Sequence, residues 1–214
     1  MSLVLHGYWR SSCSWRVRIA LHHKGLAFED VAVHLVAEGG QQHHEGHRSL
    51  NPMREVPVLV VDGLPLAQSV AILEYLEEQY PTPALLPEGP LERARVRQMT
   101  EVINSGIQPI QNLRVMQRLG RDFGLEKSDQ MRWSKGWIDS GFKAFDALVN
   151  RHGGSFCFGD TLSYADLCLV PQLYNARRFA VDLEAYPRLL EIEADLNALP
   201  AFIKAHPDQQ ADAP

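Results

Sequence analysis

Apolar and polar positions alternate in short runs through the first eighty residues of the chain and recur at helical spacing through the rest. Residues 3–8, "LVLHGY", predict a strand. Ser11 or Ser12 can cap a helix that runs to about Lys24, where Gly25 ends it. Residues 28–35, "FEDVAVHL", alternate as a second strand. Two strands joined through a helix are expected to lie parallel. Residues 36–49 are polar, rich in Gly, Gln and His, and read as an exposed loop or a short helix. "VPVLVVDG", from Val56 to Gly63, predicts a buried strand, and the Asp-Gly pair turns it into "LPLAQ" as an antiparallel hairpin. From Ser69, "SVAILEYLEEQY" carries an amphipathic helical pattern with Ser69 at its N-cap.

The pattern then changes. "PTPALLPEGP", residues 81–90, holds four prolines in ten positions and reads as a linker. Beyond it no strand is predicted. Residues 91–118, 128–150, 163–178 and 187–197 all show helical periodicity, with Gly106 and Pro109 expected to bend the first. The fold class is therefore α/β + all-α: a βαβ-ββα domain over 1–80, a linker over 81–90 and an all-helical domain over 91–214.

Composition narrows the function. The 214 residues are 45% hydrophobic, enough for a core in one large or two small domains. A net charge of -5 argues against nucleic acid as partner. No run suits a membrane span, and the N-terminus lacks the form of a signal peptide. Cys13, Cys157 and Cys168 have no paired spacing, which points to a reducing, cytoplasmic setting and away from disulfides or zinc. His43, His44 and His47 lack an accompanying acidic or Cys ligand set, so a solvated surface and no metal are expected.

Several short stretches carry candidate chemistry. Ser11, Ser12 and Cys13 sit where a strand gives way to a helix. They are either a plain cap or donors to an anion held at the helix start. Cys13 can be a packed helix-start residue, a second donor or a nucleophile; with no Cys–His pairing signal the last ranks lowest. Pro57 reads either as a trans-proline opening a strand or as a cis-proline that turns the Val56 backbone outward toward an extended peptide. Gln68 and Ser69 open a helix and suit either a cap or a carboxylate. Gln108 and Asn112 share one face of the first long helix, with Arg114 further round. Ser163 and Asp166 have capping-box spacing and are assigned structure only. Arg177 and Arg178 either compensate a helix C-terminus or bind a dicarboxylate through planar donors.

The motifs "SSCSWRVRIAL", "LNPMREVPVL", "QSVAILEYLEEQYPTPALLP", "GIQPIQNL", "GDTLSYADLCLVPQ" and "RRFAVDLEAYP" stand in order along roughly residues 3–207. Together they resemble the zeta class of the glutathione transferase superfamily. That resemblance implies a thioredoxin-like glutathione-binding domain followed by a helical domain carrying the electrophilic-substrate site. It implies that Ser11, Ser12 or Cys13 supports the glutathione thiolate, with Ser11 favoured. It implies a cis Val56–Pro57 bond pairing the cysteinyl unit, with Gln68 and Ser69 on the γ-glutamyl carboxylate and Gln42 as a further contact. Gln108, Asn112 and Arg114 would lie near the bound peptide. Arg178 would hold a substrate carboxylate, with Arg10 and Arg16 as second candidates. Arg177 departs from a pattern that is often acidic in relatives, which bears on acid-group selectivity.

The implied reaction is glutathione-dependent isomerisation of maleylacetoacetate to fumarylacetoacetate, in tyrosine and phenylalanine breakdown. It would run by thiolate addition, bond rotation and elimination in a cytoplasmic homodimer. For the enolate, water, backbone N–H groups and the arginines stay open. The alternatives are maleylpyruvate as substrate, a transferase acting on α-haloacids or other electrophiles, and a non-catalytic binding module. The intact Ser-Ser-Cys, Val-Pro and Gln-Ser motifs speak against the last.

Overall fold

The computed structural model describes residues Met1–Pro214. Its chain divides into two units, Met1–Ala84 with Asn197–Pro214, and Leu85–Leu196.

The first unit is built on four strands: β1 (Leu3–Gly7), β2 (Glu29–Ala32), β3 (Val58–Val61) and β4 (Leu64–Ala67). Their order is β2-β1-β3-β4, with β1 and β2 parallel and the other neighbours antiparallel. The hairpin between β3 and β4 turns at Asp62 (φ 47°) and Gly63 (φ 85°). Two successive positive φ angles give the twist that a two-residue hairpin needs, which is why Asp-Gly stands there.

Helix α1 (Ser12–His23) follows β1, with Gly25 at φ +66° just beyond its end. Every residue of α1 from Ser14 to Leu21 is buried, Arg16 and Arg18 included. A helix covered on all sides carries no amphipathic stripe. It packs against α3 (Ser69–Gln79) and α9 (Pro200–Ala205), and Ser14 lies on Gly7, where a Cβ would stand 3.3 Å from the serine Cβ. The polar stretch 36–49 forms two short 3₁₀ turns and then α2 (Glu45–Leu50), so the short-helix alternative holds for its end.

Two boundaries differ from the sequence reading. The final segment joins the first unit and does not extend the helical one. Its apolar residues Ala201, Phe202 and Ala205 are buried, and Arg18 Nε donates to the Ala205 carbonyl at 3.4 Å. Helical periodicity says that a face is buried, not which distant helix buries it. The proline-rich stretch is also fixed at its start. Lys24 Nζ reaches Glu77 Oε2 at 2.8 Å and the carbonyls of Tyr80 and Pro83 at 2.7 and 2.9 Å. Leu85 and Leu86 are buried.

The second unit holds α4 (Pro90–Asn104), α5 (Leu113–Phe123), α6 (Lys127–His152), α7 (Tyr164–Arg178) and most of α8 (Pro187–Asn197). α7 is buried continuously from Tyr164 to Leu173. The Ser163–Asp166 capping box opens it, and Asp166 Oδ1 also accepts the Cys157 N–H at 2.8 Å. The expected single helix over 91–118 is broken, not bent. Turns fill residues 105–112, and Asn112 then caps α5 by accepting the Arg114 N–H at 3.4 Å. A Cβ at Gly106 would come within 2.6 Å of the Val102 carbonyl oxygen, so the tightness of this exit depends on glycine.

Candidate active site

Strand register gathers the first unit's site at one end of the sheet. Gly7 is the last residue of β1 and pairs with Ala32, the last of β2. His6 pairs with Val58, the first residue of β3, and Val58 pairs with Ala67, the last of β4. Thus four segments emerge together: Tyr8–Cys13 after β1, His34–Gln42 after β2, Val56–Pro57 before β3 and Gln68–Ser69 after β4. Contacts join the first two there. The Val33 N–H donates to the Gly7 carbonyl at 2.6 Å, and the Tyr8 and His34 rings lie 5.2 Å apart.

Ser11 is the N-cap of α1, and its hydroxyl oxygen accepts the Ser14 N–H at 3.3 Å. Its own hydroxyl proton remains free to donate outward. Ser12 and Cys13 occupy the first helical turn, whose N–H groups have no partner within the helix. Ser12 is buried, while Ser11 and Cys13 are half-buried. The cap reading is met by Ser11, and the same helix start presents its positive dipole end at the sheet end. Cys157, by contrast, is fully buried, and burial pushes its thiol well above the usual range. That is the environment of an inert structural cysteine.

The Val56–Pro57 bond is cis. Val56 is half-buried, and the carbonyl before it, that of Glu55, receives both Asn51 Nδ2 at 2.9 Å and the ring Nε2 of His47 at 3.0 Å. Asn51 Oδ1 further accepts the Met53 N–H at 3.0 Å. The "NPMREVP" loop is therefore held by two buried side chains: Asn51, which sequence reasoning left without a role, and His47, which it expected on a solvated surface and which is buried because its ring bonds the Glu55 carbonyl. An Asn before a proline turn was visible in the motif; its bond to Glu55 was not.

Gln68 stands at φ 72° and ψ 111°, a conformation a non-glycine residue adopts only where its surroundings impose it. The next residue, Ser69, is buried and opens α3. Arg16 Nη1 donates to Ser69 Oγ at 3.3 Å from a fully buried position. Arg16 was a candidate for substrate carboxylates. Its burial gives it another task, holding the helix start that carries Ser69. Gln42 is buried; its Nε2 donates to the Leu35 carbonyl at 3.2 Å and its Oε1 has no hydrogen-bond partner. A buried orphan acceptor is what a ligand N–H would satisfy. Arg10, half-buried, lies with its guanidinium carbon 5.3 Å from the Trp9 ring centroid.

In the second unit Gln108, Asn112 and Arg114 do not share a helix face. They stand at the break, with Gln108 in the turn, Asn112 at the cap and Arg114 in the first turn of α5. The neighbouring Gln111, buried, donates through Nε2 to Gln172 Oε1 of α7 at 2.9 Å and ties this break to the central helix. At the end of α7 the two arginines separate in role. Arg177, itself exposed, makes a bidentate pair with the buried Glu193 at 2.6 and 2.5 Å, and that bonding raises its pKa. Arg178 is exposed; its Nη1 donates to Asn175 Oδ1 at 3.1 Å, and its guanidinium lies 5.9 Å from the Phe179 ring centroid.

These features can be set beside known proteins. The glutathione S-transferase N-terminal domain model matches residues 10–79, and the C-terminal domain model matches residues 118–200. The chain is 49% identical over 213 residues to a probable maleylacetoacetate isomerase of Vibrio cholerae, covering 100% of this chain and 99% of that one. Among solved structures, it is similar to a holo maleylpyruvate isomerase described as a bacterial zeta-class glutathione S-transferase, with TM-score 0.95, 42% identity, and 99% and 100% of the two chains covered. It is also similar to a maleylacetoacetate isomerase of Anaeromyxobacter dehalogenans with glutathione bound in the active site, with TM-score 0.89, 47% identity, and 100% and 98% covered. A further structure of that isomerase holds dicarboxyethyl glutathione and citrate, with TM-score 0.88, 45% identity, and 100% and 98% covered. The chain belongs to the glutathione S-transferase family, in its zeta class.

Proposed function

We propose that this protein is a glutathione-dependent cis–trans isomerase acting on maleylacetoacetate to give fumarylacetoacetate, in tyrosine and phenylalanine breakdown. The observation that carries the reading is the sheet end itself, where an open helix start, the cis Val56–Pro57 peptide and the Gln68–Ser69 turn stand at the same ends of paired strands. Glutathione, when bound there, supplies a thiolate that adds reversibly to a conjugated double bond and leaves once the bond has turned.

The chain's own residues prepare that chemistry. Ser11, with Ser12 and Cys13, donates to the sulfur and favours its ionised form. The Val56 N–H and C=O pair with the cysteinyl unit as an added strand. Gln68 and Ser69 hold the γ-glutamyl carboxylate, steadied from below by Arg16. Gln42 offers its orphan Oε1 to the cofactor. In the second unit we assign Gln108, Asn112 and Arg114 to cofactor contacts and Arg178 to a substrate carboxylate, with Arg10 as the carboxylate residue of the first unit.

The reading extends to a cytoplasmic homodimer. No helix is long and apolar enough to cross a membrane. On the second unit, α4 and α6 border an open groove of ≈ 450 Å³ in which Val102, Trp137 and Ala144 stand among the polar Gln98, Glu101, Ser105 and Ser140, and this mixed face is the one we assign to a second copy.

The test is a paired assay. Conversion of maleylacetoacetate and of maleylpyruvate is followed with and without glutathione. Faster glutathione-dependent turnover of the first supports the proposal. Faster turnover of the second favours the shorter substrate, a reading lent weight by the similarity to the maleylpyruvate isomerase. No turnover of either, with glutathione still bound, sinks isomerisation and turns attention to α-haloacids and other electrophiles.

A further inference from the structure

The loop Tyr8–Trp9 links β1 to the helix start that carries Ser11, Ser12 and Cys13. Its backbone is held from both sides by residues that sequence reasoning left without a role, one of them Arg18 within "SSCSWRVRIAL". Arg18, 1% exposed, donates through Nη2 to the Trp9 carbonyl at 2.5 Å and through Nη1 to the Tyr8 carbonyl at 3.4 Å. The Trp9 N–H donates to Asp212 Oδ2 at 3.0 Å, 203 positions away near the end of the chain. The same Arg18 reaches the Ala205 carbonyl, so one guanidinium ties the loop to the C-terminal segment. That segment is itself folded down. Gln210 Nε2 donates to the carbonyls of Lys204 and His206 at 3.1 and 2.8 Å, and the His206 ring meets Trp15 edge-on at 5.3 Å. Burial pulls the Arg18 pKa down to about 10, opposed by the charges of Asp30 and Asp212.

We propose that the C-terminal segment belongs to the glutathione-activating apparatus: Asp212, together with Arg18, fixes the Trp9 peptide and so sets where the Ser11–Cys13 donors point. Asp212 is thus a positioning residue. It acts through the loop and touches no reacting atom. The inference rests on the reading of Ser11–Cys13 as the thiolate-holding turn.

The sign of one shift separates positioning from simple charge. Loss of the Asp212 acceptor lets the loop move and weakens the donors at the sulfur, which raises the pKa of the bound thiol. Loss of a nearby negative charge alone would lower that pKa. The full-length protein and its Asp212→Ala and Asp212→Asn variants are titrated with glutathione. The ultraviolet absorbance of bound thiolate is followed against pH, and calorimetry gives affinities for glutathione and S-methylglutathione. Asp212→Ala is expected to raise the bound-thiol pKa by about half a unit, a threefold loss of acidity. Its S-methylglutathione affinity should stay within about twofold of wild type, because the peptide contacts of Val56 and Gln68 are untouched. Asp212→Asn keeps an acceptor oxygen and should return the pKa to near the wild-type value. An unchanged or lowered pKa in Asp212→Ala overturns the inference. So does an equal loss of affinity for both ligands, which would mark general damage. A wild-type protein without bound-thiolate absorbance overturns the site reading first, and this inference with it.

Discussion

Replacing Ser11 with Ala removes two things that can be measured apart. One is the cap on α1. The Ser11 oxygen accepts the Ser14 N–H at 3.3 Å, a long bond, so its loss should lie near the lower part of the range for N-caps, about 0.5–1 kcal/mol. The other, on the function proposed above, is a hydroxyl donor to an anionic sulfur. A hydrogen bond to a charged group contributes about 1.5–3 kcal/mol, which corresponds to a roughly 10- to 160-fold fall in kcat/KM when the anion is the reacting species. Urea unfolding reads the first and steady-state kinetics with glutathione the second. Ser11→Asn should separate them, because a carboxamide caps a helix as well as a hydroxyl does but does not reproduce the hydroxyl donor at the same place. Its stability should stay near wild type while its activity falls with that of Ser11→Ala. The reasoning fails if Ser11→Ala keeps kcat/KM within about threefold of wild type and Ser12→Ala loses tenfold or more. The donor facing the sulfur would then be the buried hydroxyl of Ser12, one position further into the helix.

Three other predictions use groups outside the Ser11–Cys13 turn. Asp166→Ala leaves the N–H groups of Cys157 and Ser163 and the Ser163 hydroxyl, each donating at 2.8 Å, without an acceptor in a fully buried place. A loss of about 3–6 kcal/mol in chemical unfolding is expected, and a loss under about 1 kcal/mol would refute the capping-box account. The His6 ring lies 6.4 Å from that of His47, and burial first, then the charge of His47, lowers its pKa below 6.5. A lowered folded-state pKa gives stability that is complete above the unfolded value and is lost as pH falls through the folded one. The denaturation midpoint should therefore decline below pH 6.5, and His6→Gln should flatten that part of the slope; an unchanged slope would remove His6 from the account. Arg178→Ala should raise the substrate KM with little change in unfolding. Arg177→Ala strands Glu193, only 9% exposed in its side chain, and should lower stability by about 1–3 kcal/mol with kcat/KM unaffected. The reverse pattern would exchange the two roles.

What could be read in the sequence was set by how local its cause is. The alternation of "LVLHG" and the Asp-Gly turn act within a few residues, and both stand in the sheet as expected. The Ser163–Asp166 spacing likewise specifies a cap that needs no distant partner. Where a residue's task depends on a partner far along the chain, pattern alone misplaced it. Gln108 and Asn112 read as one helix face because a period of 3.6 runs through them, yet the chain leaves the helix at Ser105. Arg16 read as a substrate residue because it flanks the serine motif, but its hydrogen bond goes to Ser69, 53 positions on. Arg177 read as a change in selectivity, and Glu193 then takes both of its terminal nitrogens. Charged residues are the hardest to assign in this way because one guanidinium fits a substrate carboxylate and a protein carboxylate equally well. Only the packing that brings the buried Glu193 against Arg177 separates the two: a protein carboxylate already takes that guanidinium, whereas Arg178 Nη1 meets the neutral Asn175 and is the one proposed for a dicarboxylate.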